Sequence, residues 1–475
     1  MRRLLPLAAV CLVVAAGARS AGTAVTGTGT GLHTIPGLEP PRLTVEVAAR
    51  ASVKGLVFIA EKGGGKKRPG GPMIVDAKGR VVWFHQLPSD LQATDFRMQT
   101  YRGKPVLTWW QGTVSKAGVG SGTDEIYDTS YHRIATVKAG HGLQADLHEF
   151  QLTPRGTAFI TAYHEVPYDL SGVGGPGKGY VYDCVVQEID VATGNVVFEW
   201  HSLDHVPLSE SLEANEEPAK DATKKRPLDY FHVNSVADGP NGTILLSARN
   251  TSALYLIARD GHIVWRLGGK QSDFGPPAAV RFFYQHNARL HANGTLSLFD
   301  NGGIPRAERY TRPVVLRLDE KTKRATILKT FATPKRIASP YEGNIELLPG
   351  GGAFVGWGGV PKVTDFAANG NVTFQLKLPF GDTYRGYLLP WRGNPGGKPL
   401  VAVAGGAVYA SWNGKAGIAR WEVLGGPDAR HLTHVAAAPW SGLETAIPLP
   451  LPEHVIVVRA LGAGGRVLGQ SAAVR

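Results

Sequence analysis

Three histidines and one arginine carry the chemistry this sequence offers. They are His148 in Asp146-Leu-His-Glu149, His232 in Asp229-Tyr-Phe-His-Val-Asn234-Ser, His286 in Tyr284-Gln-His-Asn-Ala-Arg289, and Arg249 in Leu246-Ser-Ala-Arg-Asn250. A lone histidine is usually bland. Three at corresponding points of one repeated unit are not. Imidazole can attack sulfur or phosphorus and carry the group transiently. Three imidazoles can also hold zinc and leave a fourth position open. Arg249 bears on the choice: its permanent charge repels a cation, and its planar fork of donors suits a tetrahedral oxyanion such as sulfate or phosphate.

Such residues need a frame, and the sequence repeats one. A strand, a glycine turn and a second apolar strand recur six times, beginning near Asp95, Asp146, His232, His286, Asn344 and Arg385. Most copies continue into a further strand, a short polar turn and a last strand, as in Leu254-Tyr-Leu-Ile-Ala-Arg-Asp-Gly-His-Ile-Val-Trp265. Alternating apolar positions mark each as β. Such copies predict an all-β fold, a six-bladed β-propeller over 41–403, with the leading unit at 73–83 completed by the last copy to close the ring. Inner strands then converge on a central channel, which brings Asp95, His148, His232, His286, Asn344 and Arg385 toward one another. Arg249, Asp300, Asn301, Trp109, Trp110 and Trp357 hold the next position outward. Trp265 to Gly269 is expected to pack between sheets. The insertions Glu165–Tyr180 and Leu203–Leu228 have the length of functional lids. Residues 404–475 change texture, with short alternating strands and two tryptophans. They predict a small immunoglobulin- or fibronectin-like β-sandwich without a chemical constellation.

Composition agrees with this reading. Among 475 residues are 60 glycines, 32 prolines and 10 tryptophans, a balance that favours turns and strands over helices. Residues 1–18 read as a signal peptide, with Arg2 and Arg3 ahead of an apolar run and Ala16-Gly-Ala18 as a cleavage site. Residues 19–40 read as a flexible leader. The chain is expected to be secreted or at the cell envelope, without stable membrane insertion. Cys184 would be the single mature cysteine and sits in an apolar strand, which predicts packing rather than a disulfide. The formal net charge is +12, of which Arg2 and Arg3 account for two. A basic surface favours anionic ligands. The runs Lys66-Lys67-Arg68 and Lys224-Lys225-Arg226 lie in Gly/Pro-rich loops, and a signal peptide argues against a nucleic-acid partner.

At these motifs the chain resembles the arylsulfotransferases, most densely over 145–303. The shared residues are Asp-Tyr-Phe-His232-Val-Asn234-Ser, Ser247-Ala-Arg249-Asn, Trp265-Arg-Leu-Gly-Gly, Gln285-His286-Asn-Ala-Arg and Phe-Asp300-Asn301. The resemblance is closest to the actinomycete and fungal branch. It implies transfer of a sulfuryl group from a phenolic sulfate to a phenol, without a nucleotide donor, cofactor or metal. It implies His286 as the nucleophile, with His232, Arg249 and His148 stabilising charge on the sulfuryl oxygens, and His148 or His232 moving a proton. Asn234 and Asn301 are then expected to touch substrate, and Trp109, Trp110, Tyr163 and Trp357 to stack on an aromatic acceptor. The short leader and the C-terminal sandwich depart from the better-known bacterial enzymes. Two other readings of the same residues stand beside this one: a non-catalytic propeller that binds anionic glycans or phenolics, and a metal-dependent hydrolase or lyase.

Overall fold

The computed structural model describes residues 31–50, 53–62, 70–213, 219–276, 280–303, 310–379 and 381–475. The described chain is all-β, and its α-helix Ser202–His205 is four residues long. Among the described residues no helix is long and apolar enough to cross a membrane.

Six antiparallel sheets follow one another along the chain. Sheet I joins Leu56–Glu61, Gly71–Val75 and Val81–Phe84 to Thr383–Leu389. Sheet II holds Gln92–Tyr101, Lys104–Val114, Gly120–Tyr127 and Arg133–Val137. Sheet III holds Phe150–Leu152, Thr157–Tyr168, Gly179–Asp190 and Val196–His201. Sheet IV holds Val233–Asp238, Ile244–Ala248, Ala253–Ile257 and Ile263–Gly268. Sheet V holds His286–Leu290, Thr295–Asp300, Arg312–Asp319 and Arg324–Thr330. Sheet VI holds Asn344–Leu347, Ala353–Gly356, Lys362–Phe366 and Val372–Lys377, with Thr44–Val47 as a fifth strand on its outer edge.

Side chains alternate across each strand, so every sheet buries both faces against its neighbours. In sheet IV, Ile244 and Leu246 pack toward sheet III with Phe159, Val181 and Trp200. The intervening Leu245 turns the other way, toward Leu296 and Leu298 of sheet V. Comparable apolar clusters lie between sheets V and VI, VI and I, I and II, and II and III. Inner strands touch in the same order, with Thr157–Tyr168 making the contact of sheet III to Val233–Asp238, and Thr383–Leu389 touches both Asn344–Leu347 and Gln92–Tyr101. The six sheets therefore form a closed ring, with strands from both ends of that segment paired in sheet I (Phe58 opposite Tyr387). Pairing the ends protects edges that would otherwise be exposed.

Two further sheets, Leu400–Ala404 with Ala407–Ser411 and Glu444–Pro448, and Arg420–Gly426 with Thr433–Pro439, Val455–Leu461 and Val467–Gln470, share one core around Val408, Trp421, Ile447 and Val458. Two expectations change here. The repeated sheets were expected to run on to residue 403, yet Leu400–Ala404 pairs with Ala407–Ser411, because the Gly405-Gly406 turn closes a tight hairpin. Residues 31–40 were expected to be a flexible leader, yet Thr34 donates to Glu444 Oε1 (N–H, 2.7 Å) and His33 stacks on Tyr409 at 3.6 Å. Leu32 and Leu38 add apolar contact against the cluster between sheets VI and I. The signal peptide expected at 1–18, and the leader as far as residue 30, lie outside the described residues, as do Lys66, Lys67 and Arg68.

Candidate active site

The histidines occupy the starts of inner strands or the residues just before them, where the backbone is unusual. His232 has φ 57°, Tyr284 has φ 53° and Asn287 has φ 52°. Non-glycine residues in this left-handed region are sparsely populated and are held by surrounding structure. A bulge lies between Val233 and Ser235 in sheet IV and another between His286 and Arg289 in sheet V. Bulges re-aim side chains at strand ends. Gln285 bolts the second of these turns to sheet IV: its amide donates to Ser247 Oγ (3.0 Å), Ala248 O (3.0 Å) and Ala253 O (3.1 Å). Asn234 Nδ2 donates to Gln285 O at 2.7 Å.

The result is a cavity of about 390 Å³ lined by His148, His232, His286, Arg249, Asp229, Lys62, Lys116, Tyr341 and Glu342, with Val114–Gly118 along one wall. All four residues expected to do chemistry meet there.

His286 is buried, and its Nδ1 lies 2.8 Å from Asn301 Oδ1 and 3.1 Å from Tyr284 O. Asn301 Nδ2 donates to Ser339 O (3.1 Å) and Glu342 O (3.0 Å). Two carbonyl acceptors on its nitrogen fix which way the carboxamide faces, so its oxygen takes the proton on His286 Nδ1. Nε2 is left with its lone pair, approached among the described residues by the Glu342 backbone N–H at 3.2 Å. Burial, aided by the Arg249 guanidinium, holds the His286 imidazole well below its ordinary value, and it is neutral at neutral pH.

His148 and His232 form a pair. Their Nε2 atoms lie 3.2 Å apart. His148 Nδ1 bonds Asp146 Oδ1, and His232 Nδ1 bonds Asp229 Oδ2. With each Nδ1 proton given to a carboxylate, two bare Nε2 lone pairs would face each other. A proton on either Nε2 would turn that contact into a hydrogen bond. Burial lowers the His232 pKa despite Asp229.

Arg249 follows the strand Ile244–Ala248, and its N–H donates to His232 O at 2.9 Å. Its Nη1 donates to Asn250 Oδ1 at 2.6 Å and lies 3.5 Å from Glu213 Oε1. The guanidinium stacks over Tyr284, 4.5 Å from the ring centre. Nε and Nη2 have no hydrogen-bond partner among the described residues. They are free to meet an oxyanion.

The remaining expected residues take other places. Asn301 orients His286 rather than facing the cavity. Asn234 is fully buried and holds Gln285. Tyr163 packs behind the histidine pair, 5.6 Å from the His232 ring, with its hydroxyl on Val233 O (2.7 Å). Trp109, Trp110 and Trp357 do not reach the cavity. Trp109 is sealed between Trp83, Phe96 and Tyr127, Trp110 donates to Ala145 O (2.9 Å), and Trp357 donates to Thr364 Oγ1 (2.9 Å) against Phe299. Strand alternation turns these large rings into the clusters between sheets, where their area is best buried. Three other inner-strand residues are structural as well. Asp95 and Arg385 are ion-paired at 2.9 Å, and Asn344 bonds the backbone of Gly386.

Sequence reasoning missed Lys62, Lys116, Tyr341 and Glu342. Lys62 follows the strand Leu56–Glu61, which has no recognisable partner in sequence, and Glu342 sits in a loop, with φ 61°, just before Asn344. Lys62 Nζ contacts Glu342 Oε1 and lies 3.2 Å from Asp382 Oδ1. A second cavity of about 510 Å³ adjoins the first through Arg249, Asp229 and Ser115–Ala117, and the insertion 203–228 supplies Asp221, Ala222, Lys225, Arg226 and Leu228 to its wall.

A family model described as Arylsulfotransferase (ASST) matches residues 97–379. No curated protein matches the sequence. Among solved structures, a protein of unknown function from Bacteroides caccae is 11% identical with a TM-score of 0.42, covering 70% of this chain and 98% of its own. Virginiamycin B lyase from Staphylococcus aureus is 12% identical with a TM-score of 0.31, covering 78% of this chain and 94% of its own. A luciferin-regenerating enzyme is 9% identical with a TM-score of 0.36, covering 75% and 88%. At these identities the likenesses bear on neither substrate nor mechanism.

Proposed function

The chain belongs to the arylsulfotransferase family, and from that premise we propose that it moves a sulfuryl group from a phenolic sulfate ester to a phenol through a sulfated His286, without a nucleotide donor. The observation that carries this reading is the contrast among the three imidazoles. His286 alone is held at Nδ1 by a carboxamide and not a carboxylate; burial with Arg249 nearby keeps its imidazole neutral, and it lines the cavity beside Arg249.

In the first half-reaction the Nε2 lone pair attacks sulfur in line, the long Glu342 N–H contact gives way, and the S–O bond to the aryl group breaks. The sulfo-imidazolium that forms keeps its Nδ1 proton, because Asn301 has no basic site to take it. In the second half-reaction a phenolic oxygen attacks the same sulfur and the S–N bond breaks. Charge spreads over the sulfuryl oxygens in both transition states. The free Nε and Nη2 of Arg249 meet that charge. The His148–His232 pair lines the same cavity and would donate a hydrogen bond to a sulfuryl oxygen. Preorganised donors of this kind typically contribute a few kcal/mol each. Tyr341 on the cavity wall is the aromatic surface available to a phenolic ring.

Around this site we read the ring of six sheets as a six-bladed β-propeller and the C-terminal pair of sheets as an immunoglobulin- or fibronectin-like sandwich. Residues 1–18 would direct the chain out of the cytoplasm. Intact-mass spectrometry tests the chemistry. Incubation with p-nitrophenyl sulfate should add one sulfuryl mass, and phenol should remove it. Wild-type chain that gains no mass, or a His286→Ala chain that gains as much as wild type, would sink the proposal.

A further inference from the structure

Sulfuryl transfer between phenols needs a proton carrier as well as a nucleophile, since the leaving phenolate must be protonated and the incoming phenol deprotonated. The histidine pair is poorly free to serve. Both Nδ1 atoms are committed to carboxylates and both Nε2 atoms to each other. Resting on the sulfuryl-transfer reading, we propose that Glu342, poised by Lys62, is the group that exchanges this proton.

The geometry supports it in three ways. Glu342 lines the same cavity as His286, and its backbone N–H touches His286 Nε2 at 3.2 Å, so its residue borders the reacting atom. Its Oε1 is paired with Lys62, while Oε2 is buried with no hydrogen-bond partner among the described residues. An orphaned buried carboxyl oxygen marks a group waiting for a proton or a ligand. The charged and titratable groups around it are Lys62, Asp382, Tyr341 and Tyr384, besides His286 itself. Burial, opposed by Lys62 and reinforced by Asp382, pushes the Glu342 carboxyl up to about 7. A carrier that must both give and take a proton works best near the operating pH.

The step balances. As the S–O bond breaks, the Glu342 carboxyl gives its proton to the aryl oxygen, leaving a carboxylate beside the Lys62 ammonium. In the return half-reaction the carboxylate takes the proton of the acceptor phenol as its oxygen attacks sulfur, and neutral His286 is restored. Lys62 is a positioning residue: it fixes Oε1 and sets how readily the carboxyl ionises.

The test compares two donors that differ in the basicity of the phenolate they release. With p-nitrophenyl sulfate the leaving group needs no proton; with phenyl sulfate it does. In Glu342→Gln, sulfation of the chain by p-nitrophenyl sulfate should stay within about threefold of wild type. Sulfation by phenyl sulfate should fall by about 100-fold. Lys62 keeps Asp382 as a partner in this variant, so the fold is spared an unpaired ammonium. Glu342→Asp retains a carboxyl and should recover part of the phenyl sulfate rate. Wild-type chain should lose phenyl sulfate activity as pH rises through about 7, and Lys62→Met should displace that limb. Wild-type chain sulfated by neither donor would overturn the transfer reading and this one with it. A sulfated wild type with Glu342→Gln impaired equally on both donors, or on neither, would overturn the role of Glu342 alone, as would Glu342→Asp no better than Glu342→Gln.

Discussion

His286 turns its Nδ1 to a neutral carboxamide, Asn301 Oδ1 at 2.8 Å, whereas His148 and His232 turn theirs to the carboxylates of Asp146 and Asp229. In the proposed mechanism the difference suits His286 to nucleophilic attack. A carboxylate would favour imidazolium and occupy the Nε2 lone pair with a proton at higher pH. A carboxamide fixes the ring and the tautomer without adding charge. Asn301→Asp should therefore raise the His286 pKa and carry the acid limb of the sulfation rate to higher pH. Asn301→Ala should leave that limb nearly in place and lower the rate roughly 100-fold through misorientation. Stopped-flow sulfation across pH distinguishes the two, and identical profiles for both variants would contradict the assignment.

The pH dependence of wild-type chain follows from the same group. His286 must be unprotonated to attack, and burial with Arg249 nearby depresses its pKa below 6.5. As pH falls, the sulfation rate with p-nitrophenyl sulfate should hold through 6.5 and decline only further into acid. A half-maximal point at or above 6.5 would show that His286 is not the attacking group, or not in this environment.

Arg249 offers a planar fork with two unoccupied nitrogens and stacks on Tyr284. Lysine keeps the charge but offers neither the fork nor the stacking surface. Arg249→Lys should lower kcat/KM on the order of 100-fold, comparable to losing one oxyanion donor. Because the side chain borders a cavity and is not part of an apolar core cluster, the melting temperature should hardly move. Retained kcat/KM would remove Arg249 from the transition state.

Much of this arrangement was legible in the sequence because it repeats. Histidines at equivalent points of successive copies foretold His148, His232 and His286 in one cavity, and alternating strands foretold the sheets. The misses share a cause: repeat position specifies which strand a residue occupies, but not which face its side chain takes. Trp109 and Trp110 are adjacent, and pleating sends them into different clusters, neither of them the cavity. Lys62 and Glu342 meet across 280 residues, a pairing that no local pattern signals. Leu400–Val403 looked like a continuation of the last copy because apolar alternation is the same in any β unit.

Trp109 gives that distinction a measurable form. Its indole is sealed among Trp83, Phe96 and Tyr127, with Nε1 on Gln111 Oε1 at 3.0 Å. Trp109→Phe removes buried area and a hydrogen bond, and should cost about 1–3 kcal/mol of stability. The KM for a phenolic acceptor should stay unchanged. A raised acceptor KM at unaltered stability would restore the substrate-stacking role expected from sequence.

Beneath the cavity, Glu149 is the hub of a buried ion cluster. Its oxygens lie 2.7 Å from Arg97 Nη2 and 2.7 Å from Arg289 Nη2, and Arg385 Nη1 is 3.2 Å away. Burial raises the carboxyl, but Arg289, Arg385 and Arg97 together hold it well below the usual range. Asp95 shares the task of balancing these guanidinium groups, through Arg385 at 2.9 Å and Arg97 at 3.2 Å. Glu149→Gln leaves buried cations uncompensated and should destabilise the chain by about 3–5 kcal/mol at neutral pH. The sign with pH follows from the depressed pKa. The contribution of Glu149 is complete above the unfolded carboxyl value of about 4.3 and is lost as pH falls toward the folded one. Urea unfolding of wild type and variant should therefore show a stability gap that is constant from pH 8 to about 5 and narrows below about 4. A gap that stays constant into acid would mean that the glutamate acts through packing rather than charge.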